Sequence, residues 1–180
     1  TIHSRTGLDT PYLGVEFMEM VRSCVEKAKA NGMKAYLYDE DRWPSGFGGG
    51  LVTKEERFRS RYLVFAPADY CQEDATSAWG GVLIDSPTIS GQLLARYDIR
   101  LENGRLAEYR RLKEDEDGAN VWIASLEVSG ESPWYNNQAY VDTLNPEATR
   151  RFIEVTHEQY AREFEEDFGG VIPSIFTDEP

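Results

Sequence analysis

Two stretches of this chain share one order of features: an amphipathic helix, a glycine turn, an apolar strand and a cluster of acids. Apolar residues recur every three or four positions over Val15–Ala30, and a strand is predicted at Met33–Tyr38. Later, Asn145 is placed to cap a helix of about five turns that ends at Gly169, before a predicted strand at Val171–Thr177. Repeated helix–strand units predict an α/β fold with a parallel sheet.

Acidic residues follow both predicted strands. Asp39, Glu40 and Asp41 come after the first strand, and Asp178 and Glu179 come after the second. In a β/α barrel the chemistry lies at the C-terminal ends of the strands. Glycoside hydrolysis requires two carboxyl groups beside the scissile bond, one of them a proton donor with a raised pKa. The same acids could instead bind Ca²⁺ or Mg²⁺, or form a hydrated strand end.

The segment after the first acids contains an arginine, a tryptophan and several glycines. Trp43, like Trp134 in a later predicted loop, is interpreted either as a platform for a sugar ring or as a core residue. Arg42 could bind a substrate oxygen, or it could pair with the preceding acids. The glycines at 46–50 do not have the spacing of a phosphate loop or a dinucleotide-binding turn.

The first residues of the chain are predicted to form a loop near the strand ends. His3 and Arg5 lie on this loop and are weak candidates for the site, whereas His157 lies within a helical pattern and is interpreted as structural. With two histidines in the chain, a histidine-based zinc site is not expected. Cys24 and Cys71 are expected to be free thiols, because they lack the spacing of a metal site or a disulfide framework.

A β-rich insertion is predicted between the two helix–strand stretches. Asn103-Gly104 separates two strand-like runs and is a strong hairpin signal, and another strand follows at Val121–Val128. The predicted organisation is a first part of the barrel at 1–65, the insertion at 66–139, and the continuation of the barrel at 140–180.

The charge of the chain limits the kinds of partner it is expected to bind. The net charge of −13 disfavours nucleic acid and anionic membranes and suits a neutral substrate, a cation or a basic partner. No apolar run approaches the roughly 20 residues of a membrane span. The 180 residues are expected to be one domain or a piece of one, with both ends inside a longer protein.

Four segments together resemble bacterial glycoside hydrolases similar to glycoside hydrolase family 106, the α-L-rhamnosidase family. They are Thr6–Leu13 (TGLDTPYL), Tyr38–Gly46 (YDEDRWPSG), Tyr140–Pro146 (YVDTLNP) and Phe176–Pro180 (FTDEP). The resemblance implies part of a (β/α)₈ TIM-type barrel. In it, Met33–Tyr38, Tyr140–Asp142 and Ile172–Thr177 would be the second, third and fourth strands.

The resemblance also implies roles for individual residues. A glutamate closing the fourth strand is the acid or acid/base in related barrels, and this position falls on Glu179. Asp178 stands where those enzymes usually have asparagine, and it is a second candidate catalytic residue. The resemblance further associates the family with calcium, whereas the linkage specificity does not transfer.

The leading hypothesis is therefore a fragment of a glycoside hydrolase acting on an oligo- or polysaccharide. Glu179 would be the general acid, and the loop 39–46 would line the sugar subsite. The isolated fragment is expected to be inactive and to self-associate through an exposed sheet edge. The alternatives are a non-catalytic carbohydrate-binding module that uses the β-rich insertion, and a metal-dependent hydrolase.

Overall fold

The protein is described by a computed structural model that covers residues 1–5, 7–69, 78–79, 82–83 and 91–180, with residues 78–79 and 82–83 described by their backbone. It is a mixed α/β protein that divides into two compact units. Unit 1 comprises Thr1–Ser60 and Glu131–Pro180, and unit 2 comprises Arg61–Gly130. The insertion predicted at 66–139 thus overlaps unit 2. Cys71, predicted to be a free thiol, lies outside the described residues.

Helix α1 of unit 1 spans Val15–Ala30, as the spacing of apolar residues predicts. Its buried side chains lie on one face and include Phe17, Val21 and Val25. Cys24 lies on the exposed side of this helix as a free thiol. Helix α1 therefore packs one apolar stripe into the core of unit 1.

The two acid-terminated strands are parallel, as expected, and they pair directly with each other. Strand β1, Leu37–Tyr38, pairs in parallel with strand β8, Ile175–Phe176. Both strands are shorter than the predicted Met33–Tyr38 and Val171–Thr177. In the later segment Pro173 has no N–H to donate to a ladder, which limits regular pairing.

The predicted third strand at Tyr140–Asp142 is wrong. Val141 forms only an isolated antiparallel bridge with Arg59, and Asp142 N–H donates to the Phe58 carbonyl. The backbone of this short segment is thus satisfied by the chain that precedes unit 2. Strand β8 consequently lies directly beside β1, with no third strand between them.

A further segment approaches β1 from its other side. Ile2 N–H donates to the Tyr36 carbonyl at 2.7 Å, whereas Leu37 N–H donates to Ser174. Because successive backbone groups of a strand point in opposite directions, the start of the chain and β8 flank β1. The described residues contain no closed barrel.

The predicted five-turn helix is interrupted. Helix α2 spans Pro146–Val155 and helix α3 spans His157–Phe164, while Asn145 caps α2 through its side chain as expected. At the junction, the Thr156 hydroxyl donates to the Phe152 carbonyl at 2.6 Å. Such back-bonding by a threonine competes with the helical hydrogen bonds and bends the helix.

Two groups of buried apolar side chains stabilise unit 1. The larger group joins α1 to β1, α3 and the segment before β8, and the smaller group surrounds α2. The larger group includes Phe17, Val21, Val25, Leu37, Tyr160, Phe164 and Ile172, and the smaller comprises Val52, Phe58, Val141, Ala148 and Phe152. The core thus fixes α1 and α3 against the two strands that carry the acids.

Unit 2 is built on an antiparallel sheet of four strands in the order β2-β7-β5-β6. The strands are β2 (Arg61–Pro67), β5 (Gln92–Glu102), β6 (Arg105–Leu112) and β7 (Val121–Val128), with a short pair β3 (Ala78–Trp79) and β4 (Val82–Leu83). The hairpin predicted at Asn103-Gly104 is confirmed, because both residues have positive φ between β5 and β6. Within the described ranges, no helix is long and apolar enough to cross a membrane.

Candidate functional site

The two acid clusters meet in unit 1 and form what we call the strand-end site, which comprises residues 39–50 after β1 and residues 177–180 after β8. Ser45 links the two segments. Its N–H donates to the Asp178 carbonyl at 2.9 Å, and its hydroxyl oxygen accepts a bond from Asp178 N–H at 3.0 Å. The Ser45 hydroxyl also donates to Asp39 at 2.6 Å. Ser45 is fully buried and therefore fixes the relative position of the two strand ends.

Asp39 is the centre of a buried hydrogen-bond network. Its Oδ1 accepts from Ser45, and its Oδ2 accepts from the Thr177 hydroxyl at 2.5 Å. His157 Nε2 lies 3.2 Å from the same Oδ2. With no exposed surface and both oxygens occupied, Asp39 connects β1, β8 and α3.

Glu40 holds the glycine-rich loop. Its carboxylate accepts backbone N–H bonds from Asp41 at 2.9 Å, Gly46 at 3.0 Å, Gly48 at 2.7 Å and Gly49 at 2.5 Å. The three glycines have positive φ, a conformation that lets their N–H groups turn towards one carboxylate. Burial raises the pKa of Glu40 to about 8, whereas the four N–H bonds act to lower it.

The buried Asp41 forms an ion pair with the half-buried Arg42, and both side chains contact an asparagine. Arg42 Nε donates to Asp41 at 2.9 Å, and Arg42 Nη2 donates to Asn136 Oδ1 at 2.6 Å. Asn136 Nδ2 in turn donates to Asp41 at 2.8 Å. The guanidinium and the carboxylate therefore neutralise each other and fix the loop that carries Asn136.

The exposed part of the strand-end site includes an aromatic ring and a carboxylate. Trp43 is 47% exposed, and its indole Nε1–H donates to Glu179 Oε2 at 3.1 Å. Trp134 is half-buried, and its indole N–H donates to the Trp43 carbonyl at 2.9 Å. The structure thus brings together three of the residues that the sequence singles out, and it presents Trp43 and Glu179 to solvent.

Among the described contacts, none joins the side chain of His3, Arg5 or Asp178 to Trp43 or to Glu179. The His3 ring stacks on Tyr38 with ring centroids 3.8 Å apart, and Tyr38 stacks on Phe176. Burial raises the pKa of Tyr38 to about 12. Arg5 is exposed. Asp178, the other catalytic candidate, is half-buried and contacts Ser45 through its backbone.

Four residues that organise this site are not among the individual site residues predicted from sequence, namely Ser45, Asn136, Thr177 and His157. Ser45 and Thr177 belong to the quoted motifs, so their position beside the acids was a usable signal. Asn136 and His157 are far from the acids in sequence, and only the fold brings them close. His157 lies at the α2–α3 junction, which the helical pattern does not reveal.

The chemistry available at the strand-end site is that of one exposed carboxylate beside an indole ring. Hydrogen bonds occupy both carboxyl oxygens of Asp39 and of Glu40, and Oδ2 of Asp41. The described part of the chain contains no group of three or more His, Cys, Asp or Glu residues that could hold a metal ion. No residue is therefore assigned to calcium. Comparisons with family models, with curated proteins and with solved structures found no match to this chain.

Proposed function

We propose that this chain belongs to the catalytic domain of a glycoside hydrolase, in which Glu179 is the general acid and Trp43 supports a sugar ring. One observation carries the proposal: the exposed Glu179 carboxylate lies in hydrogen-bond contact with the exposed Trp43 indole, just after a parallel strand. An aromatic face packs against the C–H groups of a sugar, while a neighbouring carboxyl group can protonate the glycosidic oxygen.

The proposed fold of the domain is a partial (β/α)₈ barrel formed by unit 1. Three adjacent segments support it, namely the start of the chain, β1 and β8, with α1 and α2–α3 in the connections. The family resemblance assigns the general acid to the glutamate after the fourth strand of the barrel. In this arrangement Glu179 follows the third of three adjacent segments, so its place in the strand order no longer supports that role. The assignment of Glu179 rests instead on its exposure and its contact with Trp43.

The buried acids have a supporting role in this proposal. Asp39, Glu40 and Asp41 hold the loop that presents Trp43, so the second carboxyl group of the reaction comes from another element. That group would lie about 5 Å from Glu179 in a retaining enzyme and about 6.5–9.5 Å away in an inverting one.

The test uses the full-length gene product and a panel of aryl glycosides that includes α-L-rhamnosides. Removing a general acid slows substrates whose leaving group needs protonation, by roughly 10²–10⁴-fold. We therefore expect Glu179→Gln to lower kcat on an unactivated phenyl glycoside and to leave a dinitrophenyl glycoside nearly unaffected. Glu56→Gln, at an exposed acid of unit 1, is the matched control and should keep normal rates on both.

The dependence on the leaving group separates acid catalysis from damage to the fold. If Glu179→Gln slows both substrates equally, Glu179 is not the proton donor. Normal rates on both would remove it from the mechanism altogether.

A non-catalytic sugar-binding module is the second candidate, favoured by the burial of Asp39, Glu40 and Asp41. In this case the protein binds oligosaccharides without turnover. Trp43→Ala should weaken binding about fivefold, since an aromatic stacking contact contributes about 1 kcal/mol. Leu144→Ala, at an exposed apolar residue of unit 1 outside the strand-end site, is the control, and calorimetry measures both. Equal effects of the two variants would argue against a sugar platform at Trp43.

A further inference from the structure

One face of the unit 2 sheet is apolar and open to solvent. Phe65 is 47% exposed, Leu101 49%, Leu106 59% and Tyr109 64%. Together with Tyr97 and Trp122, these residues line a groove of about 350 Å³ whose floor includes the buried Ile99. Contiguous exposed apolar surface of this kind marks an interaction site, whereas single exposed apolar residues do not.

The groove lies beside the outermost strand of the sheet. Strand β6 is last in the strand order and pairs with β5 on one side. Seven of its eight residues are exposed. In the described ranges, no backbone hydrogen bond joins the other side of β6 to another segment. An edge of this kind can accept an added strand.

A bulge limits the part of the edge that can be extended. Arg100 pairs with Glu108 and Leu101 pairs with Leu106, so Ala107 is the extra residue on β6. Regular pairing with an added strand is therefore available at Glu108–Leu112, the portion that includes Tyr109.

An arginine on β6 adds a positive charge to the apolar face beside the groove. Arg111 pairs with Tyr97 across the sheet, and its side chain therefore lies on the same face as the groove. Among the described residues Arg111 has no ion pair, whereas Arg110 pairs with Glu116 and Arg100 pairs with Glu108. A carboxylate opposite Arg111 would supply the missing partner.

We infer that unit 2 binds an extended peptide that adds to the β6 edge, placing apolar side chains over the groove and an acidic side chain opposite Arg111. Backbone pairing gives the register, and the alternation of side chains gives the specificity. A second copy of the chain is disfavoured as the occupant, because each copy carries a net charge of −13. This inference is independent of the chemistry proposed for the strand-end site.

The experiment measures binding of a fluorescein-labelled peptide by anisotropy, with the whole chain as receptor. The peptide alternates threonine and valine, with a glutamate in place of one central valine. We expect saturable binding. Arg111→Glu should weaken it about tenfold, since the opposite-charge pair of Arg111 with the peptide glutamate becomes a like-charge pair. Arg105→Glu, which pairs with Glu102 on the other face of the same strand, is the matched control and should change binding less than twofold.

Two further measurements separate edge pairing from nonspecific adhesion. A peptide with lysine in place of the glutamate should bind Arg111→Glu better than it binds the wild-type chain. A peptide methylated on alternate backbone nitrogens should not bind. Equal binding to the wild-type and Arg111→Glu chains, binding by the methylated peptide, or concentration-dependent self-association without peptide binding would each overturn the inference.

Discussion

The buried hydroxyl of Ser45 gives the sharpest test of how the strand-end site is held together. Ser45→Ala removes one oxygen and keeps the rest of the side chain. The change eliminates the bond donated to Asp39 and the bond accepted from Asp178 N–H. The backbone bond from Ser45 to Asp178 remains, so the experiment isolates the contribution of the hydroxyl.

The magnitude follows from the burial of the two partners. A hydrogen bond to a carboxylate contributes about 1.5–3 kcal/mol, and Asp39 has no exposed surface through which water could replace it. Asp178 is half-buried, so a water molecule can replace Ser45 as the acceptor for its N–H. The loss of this hydrogen bond therefore costs about 1 kcal/mol. The expected decrease in the free energy of unfolding is therefore about 3 kcal/mol, a large part of the 5–15 kcal/mol of a typical domain.

The assay is urea unfolding monitored by tryptophan fluorescence. In a background carrying Trp79→Phe and Trp122→Phe, the remaining tryptophans are Trp43 and Trp134, both in unit 1. Ser23→Ala is the matched control, because Ser23 is exposed on α1 and bonds only to a helix carbonyl. A loss below about 1 kcal/mol for Ser45→Ala, or one equal to that of the control, would refute the buried-network argument.

Two other changes test the glycine-rich loop. The native pKa of Glu40, about 8, lies above its value of 4.5 in the unfolded chain, so the native state retains a proton that the unfolded chain releases. The contribution of Glu40 to the free energy of unfolding is complete below pH 4.5 and is lost as the pH rises through about 8. Stability measured by urea unfolding should therefore fall across this range, and Glu40→Gln should make the fall smaller. Gly49→Ala places a Cβ 2.8 Å from Tyr12 at φ +60°, whereas Gly32→Ala meets nothing at φ +63°. Backbone strain should lower the stability of both variants by about 1–2 kcal/mol, and the clash with Tyr12 should lower that of Gly49→Ala by roughly 1–3 kcal/mol more. Thermal unfolding measures both losses, and equal losses would exclude the clash.

Local patterns predict the elements of this fold better than they predict its pairing. The apolar spacing gives α1 correctly, and Asn103-Gly104 gives the β5–β6 hairpin, because both signals depend on neighbouring residues. The strand assigned to Tyr140–Asp142 is wrong because its backbone partners, Phe58 and Ser60, are about 80 residues away in sequence. The break at Thr156 was also missed, since a threonine inside an apolar pattern does not reveal where its hydroxyl bonds.

The meeting of the two acid-bearing strand ends can be predicted from sequence, but the contacts of the individual residues cannot. Acids after two parallel strands are expected to meet, and the bonds between Ser45 and Asp178 join the two strand ends. The sequence does not say which acids are buried, because burial depends on whether a neighbouring segment supplies donors. For Glu40 the glycine N–H groups supply them, while Glu179 has only the indole of Trp43 among the described contacts.

This division between buried and exposed acids has a physical consequence for recognition. The loop after β1 contains glycines with positive φ, a residue type that gives a backbone more conformational freedom. Glu40 accepts hydrogen bonds from their N–H groups, and the ion pair of Asp41 with Arg42 holds the same loop. Trp43 is therefore held in place before any ligand arrives, so binding does not have to pay the entropy of ordering it. A dense acidic cluster that looks like a binding surface in the sequence thus acts mainly as the support for one exposed ring and one exposed carboxylate.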